Sequence, residues 1–335
     1  MKTLALFNNK GGVGKTSLAY HLGFMFAELG LRVVFGDFDP QANLSTMCLT
    51  EHQLEALWKL KPRPTIYGAI EQLKRGVGDL GEVTPQAISA NISLIVGDLQ
   101  LSEFEDDLSQ QWPRCLDGDE RAFRVTTALQ RVVAGVGKRT VADVAIVDVG
   151  PNFGAVNRAA LIAADYVLVP VAPDLFSMQG LENVGPRLTT WRASWQERKL
   201  KAPALDFELP DGSMSPLGYV VSRHSVLSGG AVKAFQRWID RMPSAYRGAF
   251  DPKSEPIEVG IDEDPNCVGQ LKDYRSLMPM SQEAKKPLFS LKPGDGAIGG
   301  HQGAVREAYR DFRQLAVRVL QRMQVTSDPF AEGVF

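Results

Sequence analysis

Near the amino terminus, Lys10-Gly11-Gly12-Val13-Gly14-Lys15-Thr16 gathers three glycines, two lysines and a hydroxyl. Glycines let consecutive backbone N–H groups turn inward as an anion nest, which a Cβ would obstruct. Lys15 can then reach the β- and γ-phosphate oxygens of a nucleotide, and the Thr16 hydroxyl can ligate Mg²⁺. A helix opening near Lys15 turns its N-terminus toward the same phosphates. The stretch departs from the general phosphate loop G-x-x-x-x-G-K-[ST] at one place, where Asn9 stands for the first glycine and Lys10 follows. A second lysine beside Lys15 is unfavourable in an empty site. It makes sense against a triphosphate, in its own subunit or a facing one; otherwise it is a solvated surface lysine.

Two acidic segments complete the constellation. Asp37-Phe38-Asp39-Pro40-Gln41 follows an apolar run. In a parallel sheet the end of that strand opens onto the edge that carries the phosphate loop. There Asp37 and Asp39 can orient metal-bound and attacking water, or simply cap the turn before Pro40. Val144-Ala145-Ile146-Val147-Asp148 is an apolar strand ending in a carboxylate, followed by Gly150-Pro151. That is the form of an acid standing behind the Mg²⁺ ligands in phosphate-loop NTPases.

The elements that must hold these residues alternate in type. The pattern predicts a strand over 3–7, a helix marked by Leu18, Leu22, Met25 and Leu29 and ended at Gly30, and a strand over 32–35: one βαβ unit. Helices are expected near 51–60 and 66–74, a strand over 92–96 and a helix over 120–136. Strand, helix and strand then recur over 144–148, 156–164 and 166–170. A long helix over 178–197 contains Pro186, which should kink or split it. After a surface loop at 205–215 come a strand over 217–221, a helix over 231–241, a loose Pro-rich stretch from 242 to 300, and a last helix over 302–324. The expectation is an α/β phosphate-loop NTPase: a mostly parallel twisted sheet with helices on both faces. It forms one domain over 1–335, with helical insertions at about 46–90 and 195–275.

Composition sets bounds. A net charge of −2 argues against wholesale charge-driven nucleic-acid binding but leaves room for a local basic patch. Cys48, Cys115 and Cys267 form no closely spaced pair, which disfavours a zinc site, a disulfide framework or an iron–sulfur cluster. No signal peptide and no run of ~20 apolar residues is present, so a cytoplasmic chain is expected.

Taken together, K-G-G-V-G-K-T, D-F-D-P-Q-A-N and V-D-V-G-P followed by Asn157-Arg158-Ala159-Ala160-Leu161 resemble the ParA/MinD family of deviant-Walker-A ATPases. The run from Ala164 to Pro170, then Phe176 and Gly180-Leu181, and the tail from Leu277-Met278-Pro279 through Lys285-Lys286-Pro287 add to it. The match is most specific over 3–46 and 143–181. The resemblance implies ATP and Mg²⁺ as ligands and a homodimer with ATP sandwiched, Lys10 reaching the partner subunit's γ-phosphate. It places Gly11, Gly12, Val13 and Gly14 around the phosphates, Lys15 on the β/γ-phosphates, Thr16 on Mg²⁺ and Ser17 near the α-phosphate. Asp39 would polarise the attacking water, Asp37 support the metal shell and Asp148 hold a metal-bound water. Adenine would be held around Ser222, Arg223 and Pro279. Hydrolysis would be slow and stimulated by a partner, ParB-like in partition systems.

Family branches differ in output. Residues 325–335 carry no Lys or Arg and include Pro and Gly, which suits no membrane helix. In the last helix, Val305, Tyr309, Phe312, Ala316, Val319 and Met323 form an apolar stripe, with Arg306, Arg310 and Arg313 on a neighbouring face. Those arginines suit non-specific DNA, doubled in a dimer, and a nucleoid-associated ATP state. Alternatively they are a solvated face paired with Glu307 and Asp311. The segment from Lys233 through Arg237, Arg241 and Arg247 either extends that patch or is an amphipathic helix. With the first strand read at residue 3, a preceding helix-turn-helix domain is not expected. The leading reading is a DNA-partition ATPase. The alternatives are a positioning ATPase for a protein cargo and, in another class, a small-molecule kinase or ligase, for which no acceptor site is apparent.

Overall fold

A computed structural model of the chain describes residues 1–224, 230–253, 259–274 and 276–326, with the side chains of 223–224 and 230–235 outside the described set. The chain opens β1 (Lys2–Leu6), α1 (Lys15–Glu28), β2 (Val33–Asp37), α2 (Asn43–Cys48), α3 (Glu51–Lys59) and α4 (Ile66–Arg75). It continues through β3 (Gln86–Ser89), β4 (Ile92–Ile95), α5 (Glu105–Arg114), α6 (Glu120–Thr126), α7 (Ala128–Arg139), β5 (Val144–Asp148) and α8 (Ala155–Ile162). Then come β6 (Tyr166–Val171), α9 (Leu175–Lys199), β7 (Ser215–His224), α10 (Gly230–Phe250), β8 (Cys267–Lys272), α11 (Met278–Ala284) and α12 (Gly300–Arg322).

All eight strands join one sheet in the order β3-β4-β2-β5-β1-β6-β7-β8. Every pairing is parallel except β3 with β4. The apolar strands alternate between two cores, as a sheet covered on both faces must. Leu4 and Leu6 pack with α1, α3 and α12 on one side; Ala5 and Phe7 pack with α4 through α10 on the other. The mostly parallel α/β sheet expected from the sequence is the fold observed.

Several features differ from the sequence reading, among them the short α2 and β3, which it does not contain. The helix expected over 120–136 is two, α6 and α7, parted at Thr127, whose hydroxyl donates to the Phe123 carbonyl (2.7 Å) and competes with the helical ladder. The long helix is not split at Pro186: α9 runs unbroken through it. Pro186 and Glu182, whose carbonyl loses its helical donor, both lie on the exposed side, where water can replace the bond. The stretch read as loose contains an edge strand, β8, and α11. And α5, strongly acidic in its first turn, was not foreseen. The segment 195–275 contributes β7 and β8 to the sheet.

Candidate functional site

Three neighbouring strands carry the three motifs. β1 leads into the phosphate loop, β5 ends at Asp148 and β2 ends at Asp37, and register pairs Asp148 with both Leu6 and Asp37. The loop, Asp37, Asp39 and Asp148 therefore open on one edge of the sheet. Gly12 and Gly14 have φ of 73° and 84°, a left-handed backbone suited to glycine. A Cβ at Gly11 or Gly12 would meet nothing within 4 Å, so the loop is an open cradle.

Lys15 opens α1 and is buried, its Nζ donating to the Lys10 carbonyl at 3.2 Å. Burial lowers its pKa, while the nearby Asp148 and Asp39 carboxylates oppose that shift. Asp37 is fully buried; Oδ2 accepts the backbone N–H and hydroxyl of Ser45, both at 2.7 Å, and Oδ1 has no partner. Burial, with the negative charge of Asp148 next, pushes its pKa up to about 8. Asp148 is likewise buried and pushed up to about 7 by burial, opposed by the Thr16 hydroxyl beside it. Neither Asp148 oxygen has a hydrogen bond of normal geometry. Asp39 Oδ1 accepts from the Gln41 N–H at 3.0 Å.

Buried, partnerless carboxylate oxygens beside a hydroxyl are what a hydrated divalent cation satisfies. Among the described residues no group of three His, Cys, Asp or Glu forms a metal cage. The Thr16 hydroxyl and the partnerless Asp148 oxygens fit Mg²⁺, which binds through one or two side chains plus substrate oxygens and water.

Comparison with known proteins agrees with this geometry. Residues 1–201, more than half the chain, match the family model described as an AAA domain. The IncC protein of Escherichia coli is 34% identical over 184 residues, 55% of this chain and 44% of that protein. The chromosome partitioning protein ParA of Caulobacter vibrioides is 29% identical over 198 residues, 59% of this chain and 66% of that one. The chain belongs to this family, in its ParA/MinD branch. It spans less than two thirds of the length of these curated relatives. A solved protein of Corynebacterium diphtheriae superposes with a TM-score of 0.70 at 23% identity, covering 96% of this chain and 99% of that one, a likeness of fold.

The lysine that sets this ParA/MinD-family loop apart is engaged within its own chain. Lys10 Nζ pairs with the Asp174 carboxylate, stands 3.5 Å from Ser177 Oγ and lies 5.9 Å from the ring centroid of Phe176. Leu175 and Phe176 beside it are exposed, Phe176 by 66%. Gly180 of the same helix fits against Asn8 and Asn9, where a Cβ would come within 2.7 Å of Asn8 Oδ1. The first turns of α9 thus seat the entrance of the loop.

A cavity of ≈ 500 Å³ adjoins Gly14 and Ser17, lined also by Ser222, Tyr274, Pro279 and Phe312. Its size and position suit a nucleoside. Ser222 lines it, but its hydroxyl is also committed to the Val13 carbonyl at 2.7 Å, bracing the phosphate loop. Pro279 lines the cavity directly; the side chain of Arg223 lies outside the described residues. Sequence reasoning missed Tyr274 and Ser45. Ser45 lies just past D-F-D-P-Q-A-N, but nothing in its spacing shows that it turns back onto Asp37; Tyr274 stands in no periodic or motif-bearing stretch, and β8, which leads to it, is not marked by the sequence pattern.

On α12, Phe312, Ala316, Val319 and Met323 are buried as expected. Glu307 and Asp311, however, do not pair along the helix. Glu307 takes Lys272 (3.2 Å), and Asp311 accepts from the Tyr274 hydroxyl. Arg310 and Arg313 have no hydrogen-bond or ion-pair partner among the described residues, and Arg306 reaches only its own helix at Gln302 O, 3.4 Å. All three are exposed. Arg318 and Arg322 are tied to the carbonyls of Val268, Leu217 and Pro265. On α10, Arg237 and Arg241 flank Trp238, while Arg247 pairs with Asp264. That helix packs in the opposite layer from α12, so its arginines do not extend the α12 face; the side chain of Lys233 lies outside the described residues. No described helix is long and apolar enough to cross a membrane.

Proposed function

We propose that this chain is an ATP-gated dimerising ATPase of the partition or positioning type, which holds DNA without sequence preference in its ATP state. The observation that carries the proposal is the convergence of the glycine loop, Lys15, Thr16, Asp37, Asp39 and Asp148 on one sheet edge with buried carboxylate oxygens left unpaired. Thr16 and Asp148 would hold Mg²⁺, with Asp37 behind them. When bound, the ion offsets negative charge on the β- and γ-phosphates. Lys15 leaves the Lys10 carbonyl to meet those phosphates, Ser17 lies toward the α-phosphate, and the cavity beside Pro279 and Tyr274 receives the base. Asp39 orients the attacking water.

Lys10 is the proposed reach across to a second subunit, and the exposed Leu175 and Phe176 beside it supply apolar surface for that contact. ATP shifts the population toward the dimer because both subunits touch it. The unpaired Arg310 and Arg313, with Arg306, then present a doubled cationic face to DNA phosphates. A partner protein, ParB-like in partition systems, would accelerate hydrolysis and end that state. The whole chain acts as one ATPase domain, with 46–90 and 195–275 bearing cargo-specific surface.

The test is gel filtration with ATP·Mg²⁺, ADP·Mg²⁺ or neither, on the wild type and Asp39→Ala. A dimer seen only with ATP, and accumulated by Asp39→Ala, is expected. A monomer under all three conditions removes the dimer switch, and full DNA retention by Lys15→Ala removes the ATP gate.

A further inference from the structure

The loop after Asp148 contains an amide whose direction is fixed but whose donor is unused. Asn152 Oδ1 accepts the Gly154 N–H at 2.8 Å and Asn157 Nδ2 at 3.0 Å. Because a backbone N–H can only donate, that carbonyl is oriented without ambiguity, and the Asn152 NH₂ must face the other way. Among the described residues Asn152 Nδ2 donates to nothing. Asn157, 2% exposed, also donates Nδ2 to the carbonyls of Gly150 and Asn152, both at 2.8 Å, clamping the loop from beneath.

These groups surround a gap that exists because residue 150 is glycine. A methyl group on the Gly150 Cα would stand 3.5 Å from Asp39 Oδ1, 3.6 Å from Asn157 Nδ2 and 3.7 Å from Asn152 Nδ2. A site of atomic size with the Asp39 carboxylate as acceptor and the unused Asn152 amide as donor beside it suits a water molecule, which seeks two to four polar partners.

We propose that Asn152 is a catalytic residue for the hydrolysis, holding the attacking water against Asp39 in the gap at Gly150, and that Asn157 is the positioning residue that aims its amide. This rests on the ATPase reading above. Donation from Asn152 Nδ2 to one lone pair of the water, and acceptance of one of its protons by Asp39, leave the other lone pair to attack. The water oxygen bonds to the γ-phosphorus as the bond to the β–γ bridging oxygen breaks, and that electron pair leaves with ADP. The water proton passes by way of Asp39 to the released phosphate. A carboxylate alone accepts a proton but leaves the water free to rotate; the opposed donor fixes its direction.

The experiment measures phosphate release at saturating ATP and, separately, affinity for a fluorescent ATP analogue. It compares the wild-type chain with Asn152→Ala, Asn152→Asp, Asn157→Ala and Gly150→Ala. Turnover should fall by roughly 10²- to 10³-fold, the scale of losing one positioned donor, with affinity for the analogue unchanged. Gly150→Ala keeps the backbone N–H and makes only ordinary contacts, yet fills the gap, so it should lose turnover as Asn152→Ala does. Wild-type turnover in Asn152→Ala overturns this inference and leaves the ATPase reading standing. Equal losses of turnover and affinity would make Asn152 a binding residue and also overturn it. A wild-type chain that binds the analogue but releases no phosphate would overturn both.

Discussion

Asp174 holds Lys10 with the same carboxylate that caps α9: it pairs with the ammonium and accepts the Ser177 N–H at 2.9 Å. The lysine proposed to serve a facing subunit is therefore restrained at home, and on that proposal dimer formation would exchange this ion pair for a phosphate. The pair is partly exposed, so its contribution is about 1 kcal/mol or less. Asp174→Asn removes the charge yet retains a good cap. It should lower the ATP concentration for half-maximal dimerisation by about two- to fivefold, read by sedimentation velocity. An unchanged midpoint would show that the pair restrains nothing.

The arginines of α12 divide by what they already touch. Arg310→Glu with Arg313→Glu should abolish ATP-dependent DNA retention and leave thermal stability unchanged, since neither has a partner among the described residues. In the wild type, log affinity should fall linearly with log salt by about 0.9 for each phosphate contacted. Arg322→Ala is the contrasting case. It strips the Leu217 and Pro265 carbonyls of their donor and should cost about 1–3 kcal/mol of stability in a melting experiment.

His21 gives the pH dependence a sign. It is fully buried, shares a 2.6 Å hydrogen bond with the Ser17 carbonyl and stacks on Phe312 at 4.9 Å. Burial lowers its pKa to about 4 from an unfolded value of 6.5. Between those values the unfolded chain takes up a proton that the folded chain refuses, so stability falls as pH drops from 6.5 toward 4. The loss at the low end is roughly 3 kcal/mol by linkage. In denaturant titrations across that range His21→Phe should flatten this component of the profile; an unaltered slope would assign it elsewhere.

Two glycines should respond in opposite ways. In α9, a Cβ at Gly185 would stand 2.1 Å from the Ala249 carbonyl oxygen, so α9 and α10 approach backbone to backbone there. Gly185→Ala should cost about 1–3 kcal/mol by overpacking. In α10, Gly248 faces open space. There Gly248→Ala should stabilise by about 0.5–1 kcal/mol, because the unfolded chain loses freedom.

What was legible in the sequence was local and strongly patterned. The loop from Lys10 to Thr16 and the acids ending β2 and β5 were visible because buried parallel strands are apolar throughout, and any acid ending one stands out. The geometry added what residue type cannot give. Lys10 pairs with a residue 164 positions away, and Ser222 braces the loop from the far side of the site. β8 escaped because an edge strand, half covered, has neither an unbroken apolar run nor clean alternation. The helices 120–136 merged because one Thr hydroxyl, not a glycine or proline, parts them. The arginines of α12 were found by spacing, but their lack of partners depended on where Lys272 and Tyr274 fall in space.

The strand order also bears on how such a chain can change. β2, β5 and β1, which bring the phosphate loop and its acids together, lie inside the sheet, with two strands outward on one side and three on the other. The two margins are not equivalent: the β7–β8 side sends Ser222 against the phosphate loop, whereas β3 and β4 carry none of the loop's residues. Change in length or sequence is therefore least constrained at the β3–β4 margin, whose outer strand lies at least two strands away from those that carry the acids and the loop.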